Sequence, residues 1–340
     1  MRLHRYHPYS RVHVLGHKEI WSPGWDAYFL VETLKKLSIQ YSRSRIAIKQ
    51  VVYLPTKYAA LSSPYHRLSN KVVFDYFHGD PSISPRFGPL FSRICRRRDA
   101  FSGIRVSHSG VEEIFLNEGF EGKVSRIPLG VDLDWFTYQN SRNRREIRQE
   151  LGISDQSVVI GSFQKDGEGW GEGLCPKLIK GPDIFLKAIE VLKTQVPNLF
   201  VILTGPARGF IKTGLEKLSI PYKHLFVDYS QIGKYYHALD VYLITSREEG
   251  GPKALLEAMA SGVPLVTTRV GQAIDLVDHQ KNAWIVGVED YEAVAHWAQY
   301  AIENYSQIGS ILREGRRTAE ANSHAALVPV WAKFFDRFLD

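Results

Sequence analysis

Two successive Rossmann-like α/β domains are what this 340-residue chain predicts. Three observations carry the prediction. Short β-branched runs alternate with segments of helical periodicity, the pattern of a mostly parallel, doubly wound sheet. The alternation restarts after a polar stretch near residue 140. The length also exceeds what one hydrophobic core usually serves, since domains typically run to about 100–200 residues.

In chain order, Arg11–Gly16 reads as a first strand, and Trp25–Leu37 carries Tyr28, Phe29, Val31, Leu34 and Leu37 at helical spacing. Ile46–Ile48 and Val51–Leu54 read as strands, the latter stopped by Pro55, and Val72–Phe77 as another that ends at His78-Gly79-Asp80-Pro81. Ile104–Ser107 is a short strand. Ser109 is expected to cap a helix over Val111–Asn117, closed by Gly119, and Lys123–Pro128 returns as a strand. Tyr138–Arg145 is polar and marks the boundary. Beyond it come the strand Val158–Phe163, the helix Pro182–Lys193, the strand Phe200–Thr204 and strand material at Leu225–Val227. The helix Ile232–Leu239 and the strands Val241–Thr245 and Pro264–Thr267 follow. Amphipathic helices follow Tyr291, and Val328–Leu339 is a Trp/Phe-rich helix. The expected domains are 1–138 and 139–322, with residues 323–340 forming a helix that packs back toward the first. A cleft between the domains is where open α/β sheets bind ligands.

The composition is that of an ordinary globular protein, 44% hydrophobic and 23% charged. Cys95 and Cys175 are too few for a disulfide scaffold or a cysteine zinc site. The start lacks a signal-peptide core, and no run approaches a spanning helix, so a cytoplasmic chain is expected. Charge is uneven. Residues 1–150 hold 24 Lys+Arg against 14 Asp+Glu, within a whole-chain net charge of +7. The densest cluster is Arg93, Arg96, Arg97 and Arg98. A solvated helix face and an anionic membrane surface both suit this excess. No zinc-finger, RNA-recognition or other nucleic-acid signature accompanies it, and no nucleic-acid partner is expected.

Chemistry concentrates at Glu249-Gly250-Gly251-Pro252-Lys253-Ala254-Leu255-Leu256-Glu257, followed by Ala258–Val266. Two carboxylates bracket a Gly/Pro turn and the start of a helix, directly after a buried strand. N–H groups at a helix start point toward phosphate. An ionised glutamate only accepts hydrogen bonds, which suits sugar hydroxyls. Lys180-Gly181-Pro182-Asp183 opens the helix after the first strand of the second half. Ile127–Asp132 precedes the linker, and Tyr235–Val241 leads into the strand before Glu249.

Together these segments resemble the family 4 glycosyltransferases of the GT-B fold, strongly over about residues 104–290. The resemblance implies a retaining transfer of a sugar from a nucleoside diphosphate donor to an acceptor hydroxyl; the basic first half suggests a saccharide or lipid-linked acceptor, as in surface polysaccharide or glycoconjugate synthesis. The same basic excess makes a peripheral position at the membrane one option, and no metal or other cofactor is expected. Glu257 would accept from the ribose hydroxyls, and Glu249 would support the donor sugar. Gly250, Gly251, Lys253 and Ala254 would present backbone N–H groups to sugar or diphosphate. Lys180 would face the diphosphate, whose charge grows as the glycosidic bond breaks. Family members carry an arginine directly after the glycine of the preceding strand. Here Ser162 follows Gly161, and Lys165 is the expected substitute.

The resemblance also implies that His78 contacts donor or acceptor, with Asp80 beside it. Gly24, in a Ser22–Trp25 turn, would stand for the first glycine loop, which approaches the donor phosphate and the acceptor, and base recognition would use backbone near Gly205 and Val227. Asp166–Gly173, with four alternating glycines, is an insertion that reads as a flap or a surface loop. Asp132-Leu133-Asp134 mimics a metal-binding Asp-x-Asp, but it sits in the stretch leading to the linker, and no metal site is expected. Two other readings stand beside the transferase: a non-catalytic nucleotide-sugar-binding subunit, suggested by the missing arginine, and a GT-B-fold sugar-nucleotide epimerase, which would need further cleft carboxylates.

Overall fold

The computed structural model describes residues 8–15, 22–62 and 64–340, the side chains at 22 and 23 excepted. Gly16, expected to close the first strand, lies outside the described residues. The chain divides into two compact units, Met1–Leu129 with His324–Asp340, and Gly130–Ser323.

In the first unit, β1 (Arg11–Val14), α1 (Ser22–Lys36), β2 (Gln40–Ser42), β3 (Val51–Leu54) and α2 (Lys57–Ser62) precede β4 (Lys71–Asp75). Then come α3 (Gly88–Cys95), β5 (Gly103–Val106), α4 (Ser109–Leu116) and β6 (Val124–Arg126). The strands form one parallel sheet in the order β2-β1-β3-β4-β5-β6. The two-residue period of a strand divides β3 between two core layers. Val51 and Tyr53 join Val12, Leu30 and Leu34, together with Trp331, Phe334 and Phe335 of the C-terminal helix. Val52 and Leu54 face Ala60, Phe91, Ile94 and Phe115. Both faces are therefore covered, which is why β3 is apolar at every position.

Four expectations need correction here. Ile46–Ile48 is a loop with both isoleucines exposed, and the extra strand is Gln40–Ser42. The strand read as Val72–Phe77 is β4 and stops at Asp75. Ser109 is the first helical residue after an N-cap at His108, which makes no side-chain capping bond. Ser22–Trp25 is the opening of α1, so Gly24 lies in a helical turn rather than a loop.

The second unit runs α5 (Ser141–Leu151), β7 (Val158–Phe163), α6 (Pro182–Gln195), β8 (Leu199–Thr204), α7 (Gly209–Lys217), β9 (Tyr222–Leu225) and α8 (Tyr229–Tyr236). It continues with β10 (Val241–Ile244), α9 (Lys253–Ala260), β11 (Leu265–Thr268), α10 (Ala273–Leu276), β12 (Trp284–Val286), α11 (Tyr291–Glu303) and α12 (Gly309–Ala321). The C-terminal helix is α13 (Val328–Phe335). The sheet is parallel, with the order β12-β11-β10-β7-β8-β9. Counted from β7, this is the doubly wound order in which the direction of winding reverses between β7 and β10. Ligands of such sheets bind beyond the carboxyl ends of those two strands. Ile160, Val201, Leu203, Leu243 and Val266 pack to α6, α7 and α11, whereas Val159, Ile202, Tyr242 and Ile244 pack to α8 and α9. β9 and α8 begin three residues earlier than expected, because the edge strand is half-buried and polar (Tyr222-Lys223-His224-Leu225) and carries little apolar signal.

Candidate functional site

The chain leaves β10 through Thr245 and Ser246, both buried, and reaches Glu249 in a loop that precedes Pro252 and α9. Two attachments fix this loop to the start of α6. The N–H groups of Arg247 and Glu248 donate to Ile179 O, at 2.8 and 3.2 Å. The Arg247 guanidinium forks onto both carboxylate oxygens of Asp183, each at 2.7 Å, and also pairs with Glu289. That fork holds the Asp183 carboxyl below the usual carboxylate range. Gly181 lies where the segments touch. Its φ is +62°, and a Cβ there would fall 1.8 Å from Thr245 O, so no other residue fits.

This tie brings Lys180 against Glu249. Lys180 Nζ donates to Glu249 Oε1 at 2.5 Å, and the Ser246 hydroxyl donates to the same oxygen at 3.0 Å. Both partners of the ion pair are largely but not fully buried. Glu249 Oε2 has no hydrogen-bond partner among the described residues. Lys177, which caps the short 3₁₀ turn ending at Lys180, lies half-buried nearby. Burial, then repulsion from Lys180 and Lys165, holds its ammonium below the usual lysine range. Lys177 and Lys180 thus bring positive charge beside Glu249, with Lys165 and Glu168 also within electrostatic reach of Lys177, an arrangement that suits an anion.

Glu257, on α9, is 4% exposed. Its Oε1 accepts from the Tyr229 hydroxyl at 2.6 Å and its Oε2 from the Tyr236 hydroxyl at 2.8 Å. Burial raises the carboxyl above its ordinary pKa, against the two phenols and Lys253. Each oxygen keeps a second lone pair. The phenols thus fix the carboxylate without using its full accepting capacity. Lys253 and Ala254 open α9 at positions that no intrahelical carbonyl serves. Lys253 Nζ lies 5.7 Å from the Tyr229 ring centroid.

Lys165 points elsewhere than a substitute arginine would: its Nζ sits 3.9 Å over the Trp170 ring. The cation beside Ser162 is Arg208. Its guanidinium donates to Ser162 O, Gln164 O and Thr204 O at 2.7–2.8 Å and to Ser162 Oγ at 3.0 Å, and Nε pairs with Asp166 Oδ1 at 3.0 Å. Both side chains are 0% exposed, so Arg208 braces the loop and offers no charge to a ligand. The glycine-rich insertion is pinned by this pair. Gly167 pairs with Pro176, and the Glu172 and Gly173 carbonyls accept from Gly209 and Phe210 at 2.7 and 2.9 Å. A Cβ at Gly167 or Gly173 would meet Ala207 O at 2.3 or 2.2 Å, so these glycines serve close packing rather than mobility. The loop and α7 line a cavity of about 330 Å³ that reaches His224, whose Nε2 lies 2.7 Å from Gly205 O.

In the first unit His78 follows β4, with its ring edge-on to Phe87 at 5.6 Å, and its carbonyl accepts from the buried Lys57. Asp80 Oδ1 accepts from Ser82, at 2.8 Å from its N–H and 2.7 Å from its hydroxyl. Asp132 Oδ1 accepts from the N–H groups of Asp134 and Trp135 at 2.9 and 3.2 Å, an Asx turn that explains this Asp-x-Asp structurally.

Reading by sequence missed Lys177, Tyr229, Ser246 and Arg208. Two of them had a usable signal. Tyr229 and Tyr236 stand seven apart, on one helix face. Lys177 and Lys180 stand three apart, the spacing that eclipses in a 3₁₀ turn. Ser246 and Arg208 had none.

Residues 177–318 match the sequence profile of the family described as Glycosyl transferases group 1. The chain is 28% identical over 218 residues to a D-inositol 3-phosphate glycosyltransferase of Corynebacterium jeikeium, covering 59% of this chain and 50% of that protein. It is 25% identical over 200 residues to the lipopolysaccharide core biosynthesis mannosyltransferase LpsB of Rhizobium meliloti, covering 56% and 54%. The chain thus spans about half the length of these relatives. Among solved structures, Anabaena HepE in complex with UDP-glucose superposes with a TM-score of 0.76 at 16% identity, over 96% of this chain and 99% of that one. Sucrose-phosphate synthase from Thermosynechococcus elongatus gives 0.68 at 16%, over 92% and 77%. The fold is the GT-B architecture of two Rossmann-like units.

Proposed function

We propose that this chain is a retaining glycosyltransferase that moves a sugar from a nucleoside diphosphate sugar to a hydroxyl acceptor. The observation that carries the reading is the Lys180–Glu249 pair at the winding reversal of the second sheet, beside a buried Glu257 held by two phenols. The matches to glycosyltransferases and the UDP-glucose bound to the HepE fold support a nucleoside diphosphate hexose as the donor class.

In this reading Glu257 accepts from the ribose hydroxyls with its remaining lone pairs. Glu249 Oε2 supports the hydroxyls and the growing positive charge of the transferred sugar. Lys180, assisted by Lys177, stabilises the diphosphate, which takes the electron pair of the breaking C–O bond. The acceptor oxygen attacks the same face while its proton passes to the departing phosphate oxygen. Charge on the leaving group is offset by lysines and first-turn amides, so the reaction as proposed uses no metal. The acceptor, a saccharide or a lipid-linked sugar, falls to the first unit, with His78 as its candidate contact.

The test is an assay of nucleoside diphosphate release from a panel of nucleoside diphosphate hexoses, with alkyl glycosides as acceptors and the product anomer read by NMR. Release with retained configuration is expected, at least about 100-fold slower in Glu249→Gln and Lys180→Met, as expected when a transition-state charge contact is lost, whereas Glu257→Gln should act mainly by raising the donor KM. Binding without release across all donors and acceptors would favour the non-catalytic subunit, the reading that Ser162 after Gly161 supports. Failure of every nucleotide to bind would refute both.

A further inference from the structure

Lysine is almost never fully buried unless it is paired, yet Lys57 is 3% exposed. It opens α2, shortly beyond the carboxyl end of β3, and shares the buried face of that helix with Ala60, three positions on. Its ammonium ends in a box of aromatic rings. Nζ lies 4.2 Å from the Phe87 ring centroid and 4.5 Å from that of Tyr76, with the Tyr58 centroid at 5.7 Å. Ring faces and one carbonyl replace part of the water that the charge gives up. The carbonyl is that of His78, to which Nζ donates.

The same groups hold the turn that follows β4. The Tyr76 hydroxyl donates to Gly79 O at 2.7 Å. Phe87 meets the His78 imidazole edge-on, with the ring centroids 5.6 Å apart. Gly79 has a φ of +107°, and a Cβ there would fall 2.7 Å from Lys57 Nζ and 2.9 Å from the Phe87 ring, so the ammonium lies directly against the backbone of the turn. The His78 and Gly79 carbonyls are thus both fixed, at the end of a parallel strand where ligands of such sheets bind. A methionine of the same length would fill the space between Tyr76 and Phe87. What the ammonium adds is the hydrogen bond that sets the plane of the His78 peptide.

We propose that Lys57 is a positioning residue for the transfer reaction: its ammonium fixes the His78–Gly79 peptide, and through it the orientation in which the His78 imidazole meets the acceptor. This rests on the reading of His78 as an acceptor contact. None of the groups involved belongs to the Lys180–Glu249–Glu257 site.

The first arm of the experiment is NMR of the full chain with isotope-labelled histidine, the His78 ring signal being identified by its loss in His78→Gln. Lys57→Met and Phe87→Leu should each move or broaden that signal. Lys71→Met should leave it unchanged, since Lys71 lies 4.0 Å from the Tyr9 ring centroid and donates to Phe338 O, at the far end of β4. The second arm is the nucleoside diphosphate release assay. Lys57→Met should lower kcat/KM for the acceptor by about 10- to 100-fold, as a misplaced contact does, with the donor KM unchanged. In the His78→Gln background the same substitution should cost nothing further, because a residue that acts through another is not additive with it. A His78 signal that neither variant moves, or a Lys57→Met loss that multiplies with that of His78→Gln, would overturn the proposal. A parent chain that transfers no sugar to any acceptor would refute the reading of the function instead, and the NMR arm would still decide whether Lys57 orients His78.

Discussion

Replacing Lys180 by methionine separates a cation that serves a diphosphate from one that merely completes an ion pair. The substitution keeps the length of the stem and removes the charge that donates to Glu249 Oε1 at 2.5 Å. Glu249 then retains the Ser246 hydroxyl at 3.0 Å. Because both partners keep some contact with water, the stability cost is about 1–2 kcal/mol, between a surface pair and a fully buried one. For a unit the size of Gly130–Ser323, that lowers the melting temperature by roughly 2–8 °C. A charge-assisted contact to phosphate is worth about 2 kcal/mol, roughly 30-fold in affinity. A nucleoside diphosphate at 100 times its Kd stabilises the parent by about 2.7 kcal/mol, and after a 30-fold loss by about 0.9 kcal/mol. The assay is thermal unfolding with matched nucleoside mono- and diphosphates of each base. The expected result is a diphosphate shift cut to about a third, with the monophosphate shift nearly intact. A diphosphate shift that survives, or equal losses for both ligands, would refute the assignment of Lys180 to the diphosphate.

Other substitutions test the frame around that site. Gly181→Ala places a Cβ 1.8 Å from Thr245 O, whereas Gly152→Ala, at a similar positive φ, meets open space. The second should cost about 1–2 kcal/mol for the backbone alone, and the first considerably more, measured by urea unfolding; equal costs would contradict the packing described. Arg208→Met strands the fully buried Asp166 and should cost about 3–5 kcal/mol. Lys165→Met removes a ring contact and should cost about 0.5–1 kcal/mol, so the reverse ranking would be informative. His237 is buried, donates to Thr137 O, and has a pKa lowered by burial. Its folded pKa lies below its unfolded value, so its contribution to stability is full above about pH 6.5 and is lost as pH falls. His237→Gln should therefore flatten the fall in stability between pH 7 and pH 5, by at most about 1.4 kcal/mol per pH unit.

Most of the fold was legible because buried parallel strands are apolar at nearly every position. Val158–Phe163 and Val51–Leu54 appear where their sequence puts them, and Val241 opens its strand as read. The failures share a cause. Ile46–Ile48 has strand-like residues, but its isoleucines find no sheet face and point to solvent. The edge strand Tyr222–Leu225 is polar on its exposed side and gave no periodic signal. An apolar pattern marks a strand only where burial and hydrogen-bonded pairing coincide: Ile46 and Ile48 have neither, and Tyr222–Leu225 is paired but only half-buried.

The sequence by itself determined the doubly wound architecture and the chemical types at Glu249, Glu257 and Lys180, because alternation and glycine-bounded turns are local properties. Tertiary structure alone decided which groups meet. Lys180 reaches Glu249 across 69 positions because Gly181 admits Thr245 O, and Glu257 is buried between two phenols from another helix. The arginine absent after Gly161 is met from 46 residues away by Arg208, as a buried brace and not as a ligand contact. Such pairings depend on the closure of long loops around a packed core, and residue spacing along the chain does not encode those distances.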